Sequence, residues 1–469
     1  MNITDKKRTL IFINIIITCI ASSMLATALN TALPNMMKEL SIDMATGQWL
    51  TSGYSLIMGI MMPLTAFLIT RFPTRKLYIS AVICFLLGLV LCAAAPDFSV
   101  LMSGRALQAC GNGILTSMAQ VIILSIFPNE KKGTAMGWYG LSVGAAPVIA
   151  PTLAGMIVDV FGWRMIFYIA AAIMILSLVY AICVFDNVLD TMKKKFDVLS
   201  FVISAIAFGG ITLGIGNIGS YSFVSVQVLW LLGIGIVAAV IFSIRQFRLT
   251  DPFLELRILS NKDYTLSVIG SMLLYFVMMG SSLLLPLYVQ SIMGRSATLS
   301  GIVMLPGSLA MAIISPFAGK IYDRLGMKLL FVIGAACMMF SNAAMMFIHM
   351  DTPIWLAGVY NTIRCMAIGC LMMPLVTWGT SGIELKKTAH ATALLTSLRT
   401  IAGAVGQAIS VGVMTAVAAG IAANNSSAML RGFNASFLMT SVISLVLLLI
   451  SVFGVKRNKT NKVLSRDCR

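Results

Sequence analysis

Residues 437–452 read FLMTSVISLVLLLISV, sixteen positions without one charged side chain. Widened to 434–454, the stretch has the length of a bilayer-crossing helix, about 20 apolar residues. Thirteen similar stretches precede it, at 9–31, 48–70, 77–95, 99–126, 134–158, 165–185, 198–217, 226–244, 265–290, 299–318, 329–349, 354–379 and 390–420. Inside hydrocarbon the backbone must satisfy itself, so only helices or closed barrels can cross. Barrel strands would read as short alternating segments, and the chain lacks that pattern. The sequence therefore predicts an all-α polytopic membrane protein with fourteen spans.

Hydrophobic residues are 59% of the chain and charged ones 10%, which excludes an ordinary soluble domain. The net charge of +17 is unevenly spread. Of the 33 Lys and Arg, 26 fall in the N-terminus, the even-numbered loops and the tail. Four (Lys38, Arg164, Arg295, Arg431) fall in the opposite loops, and three lie in spans. That asymmetry is the positive-inside pattern, so both termini are expected in the cytoplasm and the protein in the cell membrane. The basic excess serves topology, and no nucleic-acid partner is expected. Lys6, Lys7 and Arg8, the apolar run after them and Ala26-Thr27-Ala28 also fit a cleavable signal peptide. Cleavage would leave an odd number of spans, against the charge pattern.

Several classes can be set aside. The nine cysteines contain no C-x-x-C, and Cys365 and Cys370 are five apart. Neither a metal site nor a disulfide framework is expected. An embedded enzyme would need clustered His, Asp or Cys at one depth. Here His349 and His390 stand alone near span ends, where solvated loop positions are expected. No ATP-binding Walker sequence is present, so no nucleotide cofactor is expected and energy would come from an ion gradient. A non-transporting sensor would be expected to carry a folded loop domain or a long tail.

A repeat organises the chain. Pro34 and Pro286 are 252 residues apart, Pro63 and Pro316 are 253, and Arg105 and Arg364 are 259. The expected division is a six-helix bundle at 1–190, an inserted helix pair with its linker at 191–262, a second six-helix bundle at 263–455 and a basic tail at 456–469. Parallel repeats of this kind build transporters with a site at the midplane.

The loop after span 10 reads Gly319-Lys-Ile-Tyr-Asp323-Arg324-Leu-Gly326-Met327-Lys328. One carboxylate in a tight basic turn can hold two helix ends together. The loop resembles the major facilitator signature G-x-x-x-D-R-x-G-R-[RK], with Met327 in place of one basic residue. Its first-half counterpart, Ala66 to Lys76, has Thr70 at the Asp position and Pro73 at the Gly position. Span 5 carries Gly140, Gly144, Ala146, Pro147, Ala150, Pro151, Ala154 and Gly155. Small residues at spacing four allow close helix approach, and two prolines four apart favour a bend. A kinked packing helix accounts for this, with Ala146 to Gly155 facing the other bundle. The pattern also resembles the antiporter motif G-P-x-x-G-P-x-x-G-G, with alanine at three glycine positions. Gly162-Trp163-Arg164, Gln48-Trp49 with Tyr54, and Asp251-Pro252-Phe253-Leu254 resemble the fourteen-span drug:proton antiporters. Phe67 to Tyr78 resembles the lincomycin-resistance type among them. The resemblance covers essentially the whole chain. It implies secondary active transport, with proton-coupled export of amphipathic drugs as its fullest form. The residues alone leave export open against import, and a drug against a specific metabolite.

Three arginines lie inside spans, where each costs about 3 kcal/mol on insertion scales unless it faces the protein interior. Arg105 and Gln108 resemble the family's R-x-x-Q-G motif, which implies a coupling role. Arg364 reads as the second-half counterpart, and Arg399 opens a stretch with Gly403 and Gly406. Arg does not release a proton at physiological pH. With Leu25 at the first helix's usual Asp position, Asp159 is the nearest acidic candidate for the proton carrier. Coupling or gating is thus assigned to Arg105, Gln108, Asp159, Asp323, Arg324, Arg364 and Arg399. The substrate-cavity candidates are Asn30, Trp49, Tyr54, Asn112, Asn361 and Gln407, each equally able to serve as a packing contact. The expected partners are an amphipathic small molecule, protons and membrane lipid, on a monomeric chain.

Overall fold

The computed structural model describes residues 4–42, 44–189, 191, 196–216, 225–250, 252–295, 297–384, 387–419 and 426–455. Among them every long element is a helix: α1 Asp5–Leu40, α2 Met44–Arg71, α3 Thr74–Ala93, α4 Phe98–Ile126, α5 Lys132–Phe161, α6 Arg164–Val184, α7 Val198–Gly216, α8 Val226–Arg248, α9 Lys262–Leu287, α10 Ala297–Leu325, α11 Met327–Met346, α12 Ile354–Ser381, α13 Thr388–Ala419 and α14 Ser426–Leu449. Thirteen contain an apolar run long enough to cross a membrane. The other, α5, is 30 residues long, and its positions 133–158 carry no Asp, Glu, Lys or Arg. This is a multi-pass membrane protein.

Helices start where the sequence supplies an acceptor for free backbone N–H groups. Asp97 accepts from the Val100 amide at 2.9 Å before α4, and Asn261 accepts from Asp263 and Tyr264 before α9. Two six-helix halves, α1–α6 and α9–α14, repeat one packing plan. α1 lies on α5 as α9 lies on α13, α2 on α4 as α10 on α12, and α3 on α6 as α11 on α14. Helix starts give the register of the repeat. It is 253 residues for α2/α10 and α3/α11, and 256 for α4/α12 and α5/α13. The connection 347–353 is three residues longer than 94–97, which accounts for the change.

Each half is pinned internally by hydrogen bonds that remain strong away from water. In the first, the Tyr78 hydroxyl donates to Asn14 Oδ1 at 2.8 Å, Asn14 Nδ2 donates to the Ser177 carbonyl at 2.9 Å, and Thr18 meets both Tyr78 and Ser177. In the second, Asn342 Nδ2 donates to Ser444 at 2.9 Å. Three connections of the first half meet at its less basic end. Glu39 accepts from Arg164 and from the Trp163 indole at 2.7 Å, while Arg164 Nη2 donates to the Ala95 carbonyl at 2.8 Å.

The inserted pair is tight. A Cβ on Gly210 of α7 would meet the Gly235 backbone of α8 at 2.9 Å. At its basic end Arg245 Nη2 reaches both oxygens of Asp197 at 3.0 and 3.1 Å, and Gln246 joins Ser200 to the Leu254 amide. α7 packs on both α2 and α13, with Gly209 beside Leu56 and Ile60 of α2.

Candidate functional site: the seam between the halves and its buried arginines

At the basic end, α10 of the second half meets α5 of the first almost backbone to backbone. A Cβ on Gly319 would lie 2.1 Å from the Gly133 carbonyl oxygen, and one on Gly137 would lie 2.5 Å from that of Ser315. Gly140 faces Met373, and Gly144 faces Met311. The 4-3-4 spacing of Gly133, Gly137, Gly140 and Gly144 puts all four on one helix face. This close approach lies on the part of α5 that precedes the Ala146–Gly155 segment. Within that segment Ala150 and Ala154 are buried in the core that also takes in α1. The side chains of Ala146, Pro147, Pro151 and Gly155 lie outside the described residues.

The glycine seam brings Asp323 to the start of α5. Its Oδ1 accepts from the Gly133 amide at 2.8 Å. Its Oδ2 accepts from the Thr134 amide at 2.7 Å and the Thr134 hydroxyl at 2.6 Å. A carboxylate on free N–H groups at the positive end of a helix dipole is a favourable latch. Neighbouring Arg324 is exposed. Gly326 ends the turn at φ 76°, a left-handed conformation that costs glycine little.

Deeper in the first half, Arg105 is almost fully buried. Its Nε donates to the Leu50 carbonyl at 3.1 Å, its Nη1 to Gln108 Oε1 at 2.6 Å, and its guanidinium sits 4.0 Å from the centre of the Tyr54 ring. Gln108 passes the chain on to the Gly88 carbonyl at 3.1 Å, and Asn112 Nδ2 donates to the Tyr54 hydroxyl at 2.7 Å. Arg105, Gln108, Tyr54 and Asn112 thus form one cluster between α2 and α4. A guanidinium held by a carbonyl, an amide and an aromatic face keeps its charge without a carboxylate.

In the second half Arg364 Nη2 donates to Asn361 Oδ1, while Nη1 has no hydrogen-bond partner among the described residues. In the 256-residue register Arg105 aligns with Asn361, and Gln108 with Arg364. The arginine–amide pair recurs with its order reversed. Arg364 is therefore displaced by three residues from the counterpart position expected from sequence, and this is why the arginine offset of 259 exceeds the others.

Arg399 of α13 is buried, with its guanidinium 4.7 Å from the Tyr275 ring centre. Trp49 is exposed at the start of α2, and Gln407 is half-buried on α13. The side chains of Asn30 and Asp159 lie outside the described residues. His390, expected to be solvated, is buried in the first turn of α13. Gly133, Gly137 and Thr134 were missed in the sequence. For the glycines, the signal was the same small-residue spacing continued toward the start of span 5.

Two six-helix halves in parallel repeat, with an interhalf latch and buried charges, define a membrane transporter rather than an enzyme. Comparison with known proteins narrows the class. The Major Facilitator Superfamily profile matches residues 11–407, and the chain belongs to that family. It is 37% identical over 433 residues to the uncharacterized MFS-type transporter YcnB of Bacillus subtilis, covering 92% of this chain and 91% of that one. It is 36% identical over 397 residues to the lincomycin resistance protein LmrB of Bacillus subtilis, covering 83% and 82%. Among solved structures, the human organic anion transporter MFSD10 (TETRAN) superposes with a TM-score of 0.66 over 96% of this chain and 100% of that one. At 14% identity that likeness speaks for the fold alone.

Proposed function

We propose that the chain exports amphipathic small molecules by proton-coupled alternating access. It sits in the cell membrane as a monomer with both termini in the cytoplasm. The observation that carries this reading is the Asp323 latch on α5, a bond between halves that can form in only one of two arrangements. The halves 1–190 and 263–455 rock against each other, and 191–262 connects them. The 26-to-4 distribution of Lys and Arg supports the orientation. Likeness to a lincomycin resistance protein and the span-5 motif support export of drug-like molecules. Arg105 acts electrostatically, since it holds its proton, and Asp159 is the candidate carrier.

Everted vesicles energised with a proton gradient should accumulate a neutral fluorescent amphipath, and collapsing the gradient should release it. Arg105→Ala should abolish accumulation while folded monomer remains in the membrane. Accumulation only in right-side-out vesicles would show import instead.

A further inference from the structure

We propose that the interface around Arg399, Gln120 and Tyr139 receives a carboxylate carried by the transported amphipath. This deepens the transport reading and rests on it. Arg399 is 4% exposed and Gln120 fully buried. Among the described residues, Nε and Nη1 of Arg399 lack a hydrogen-bond partner, and the Gln120 amide has only the Tyr139 hydroxyl beside it. Buried polar groups are nearly always paired, so a concentration of unpaired ones calls for an occupant. The Tyr139 hydroxyl connects the two, lying beside the Gln120 amide and within electrostatic reach of Arg399 and Tyr275.

Four helices from both halves contribute. Thr392, Thr396 and Arg399 fall at 4-3 spacing on one face of α13, and Gly403 and Gly406 extend that face against Met279 and Phe276 of α9. Thr392 and Thr396 are also buried without a hydrogen-bond partner among the described residues, as is Ser117, one turn from Gln120 on α4. The site therefore joins α4 and α5 to α9 and α13. A group bound there touches both halves.

Its charge selects the ligand. Arg105 is engaged by a carbonyl, an amide and a ring, whereas Arg399 has the Tyr275 face and two N–H nitrogens without a hydrogen-bond partner among the described residues. Open N–H donors on a buried guanidinium suit the oxygens of a carboxylate. Tyr275, half-buried, offers apolar surface to the body of the same molecule. A cation would meet an uncompensated like charge in a low-dielectric setting.

The test uses the full chain in proteoliposomes with anthracene-9-carboxylate and its isostere anthracene-9-carboxamide. Wild type should prefer the carboxylate, and Arg399→Gln should weaken carboxylate binding by about tenfold or more, the scale of a lost charge-assisted bond. The amide should be unchanged or improved, and Arg399→Lys should recover part of the loss. Gln120→Leu, read the same way, serves if Arg399→Gln fails to fold. Equal binding of the two compounds by wild type, or parallel loss of both in the folded variants, would overturn the proposal. Transport of either compound by wild type tests the transport reading separately. Absence of transport for both alongside intact carboxylate-selective binding would sink that reading and leave the anion site standing.

Discussion

At the basic end, α10 meets α5 through a carboxylate, while its repeat-related seam, α2 against α13, is built from different residues at each matching position. Asp323 corresponds to Thr70, whose hydroxyl donates to the Phe67 carbonyl of its own helix at 2.8 Å. Gly319 corresponds to Ala66, and Thr134 to the buried His390. Gly326, at φ 76°, corresponds to Pro73 at φ −56°. The basic residue after that turn, by contrast, is used alike in both halves. Arg75 Nη2 donates to the Ile182 carbonyl at 2.6 Å, inside its own half. Its counterpart Lys328 donates through Nζ to the Val452 carbonyl at 3.4 Å, inside its own half. The repeat has kept its helix packing while the Asp323 carboxylate has only a hydroxyl, that of Thr70, at its matching position. A parallel fold can thus build its two seams from different residues.

The largest expected effect comes from closing the glycine gap. Gly319→Leu must push Gly133 away, and a strain of about 3 kcal/mol, the upper range for overpacking, should prevent the seam from closing. Ala66→Leu at the matching position should cost less. Equal effects on alkylation of cysteines placed along both seams would break the distinction. Next is the latch. Asp323→Ala removes three accepted bonds and a dipole-paired charge, about 1–3 kcal/mol in favour of the open seam. Thr70→Asp should move the other seam toward closure, read as slower cysteine labelling on α13. No change in either variant would make the carboxylate incidental. The smallest effect concerns Glu39, at the opposite end. Its bonds from Arg164 and Trp163 hold its carboxyl below the ordinary value of 4.5. A depressed folded pKa contributes stability above the unfolded value and loses it as pH falls through the folded one. Thermal melting should therefore decline slightly more in wild type than in Glu39→Gln as pH drops below about 4.5. Identical declines would remove Glu39 from the account.

Spans, repeat and the unequal loops were legible because each is local: an apolar run, a fixed offset, Thr70 where Asp323 stands in the other half. What Asp323 holds was not legible. Its partners Gly133 and Thr134 are some 190 residues away, and nothing in a loop names a distant helix end. Asn361 and Asn112 read as cavity groups because polarity in a span signals either a ligand or a neighbour. The structure gives each a neighbour, Arg364 for one and Tyr54 for the other. The inverted arginine–amide order was hidden because the two arginines were aligned on each other, while the longer 347–353 connection shifts the register by three.

The inserted pair then acquires a meaning for the two seams. Because α7 lies along both α2 and α13, it covers their seam from the lipid side. The fourteen-helix plan thus gives the molecule two unlike flanks in the plane of the membrane: an α2–α13 seam that packs against α7, and an α5–α10 seam closed by its own glycines.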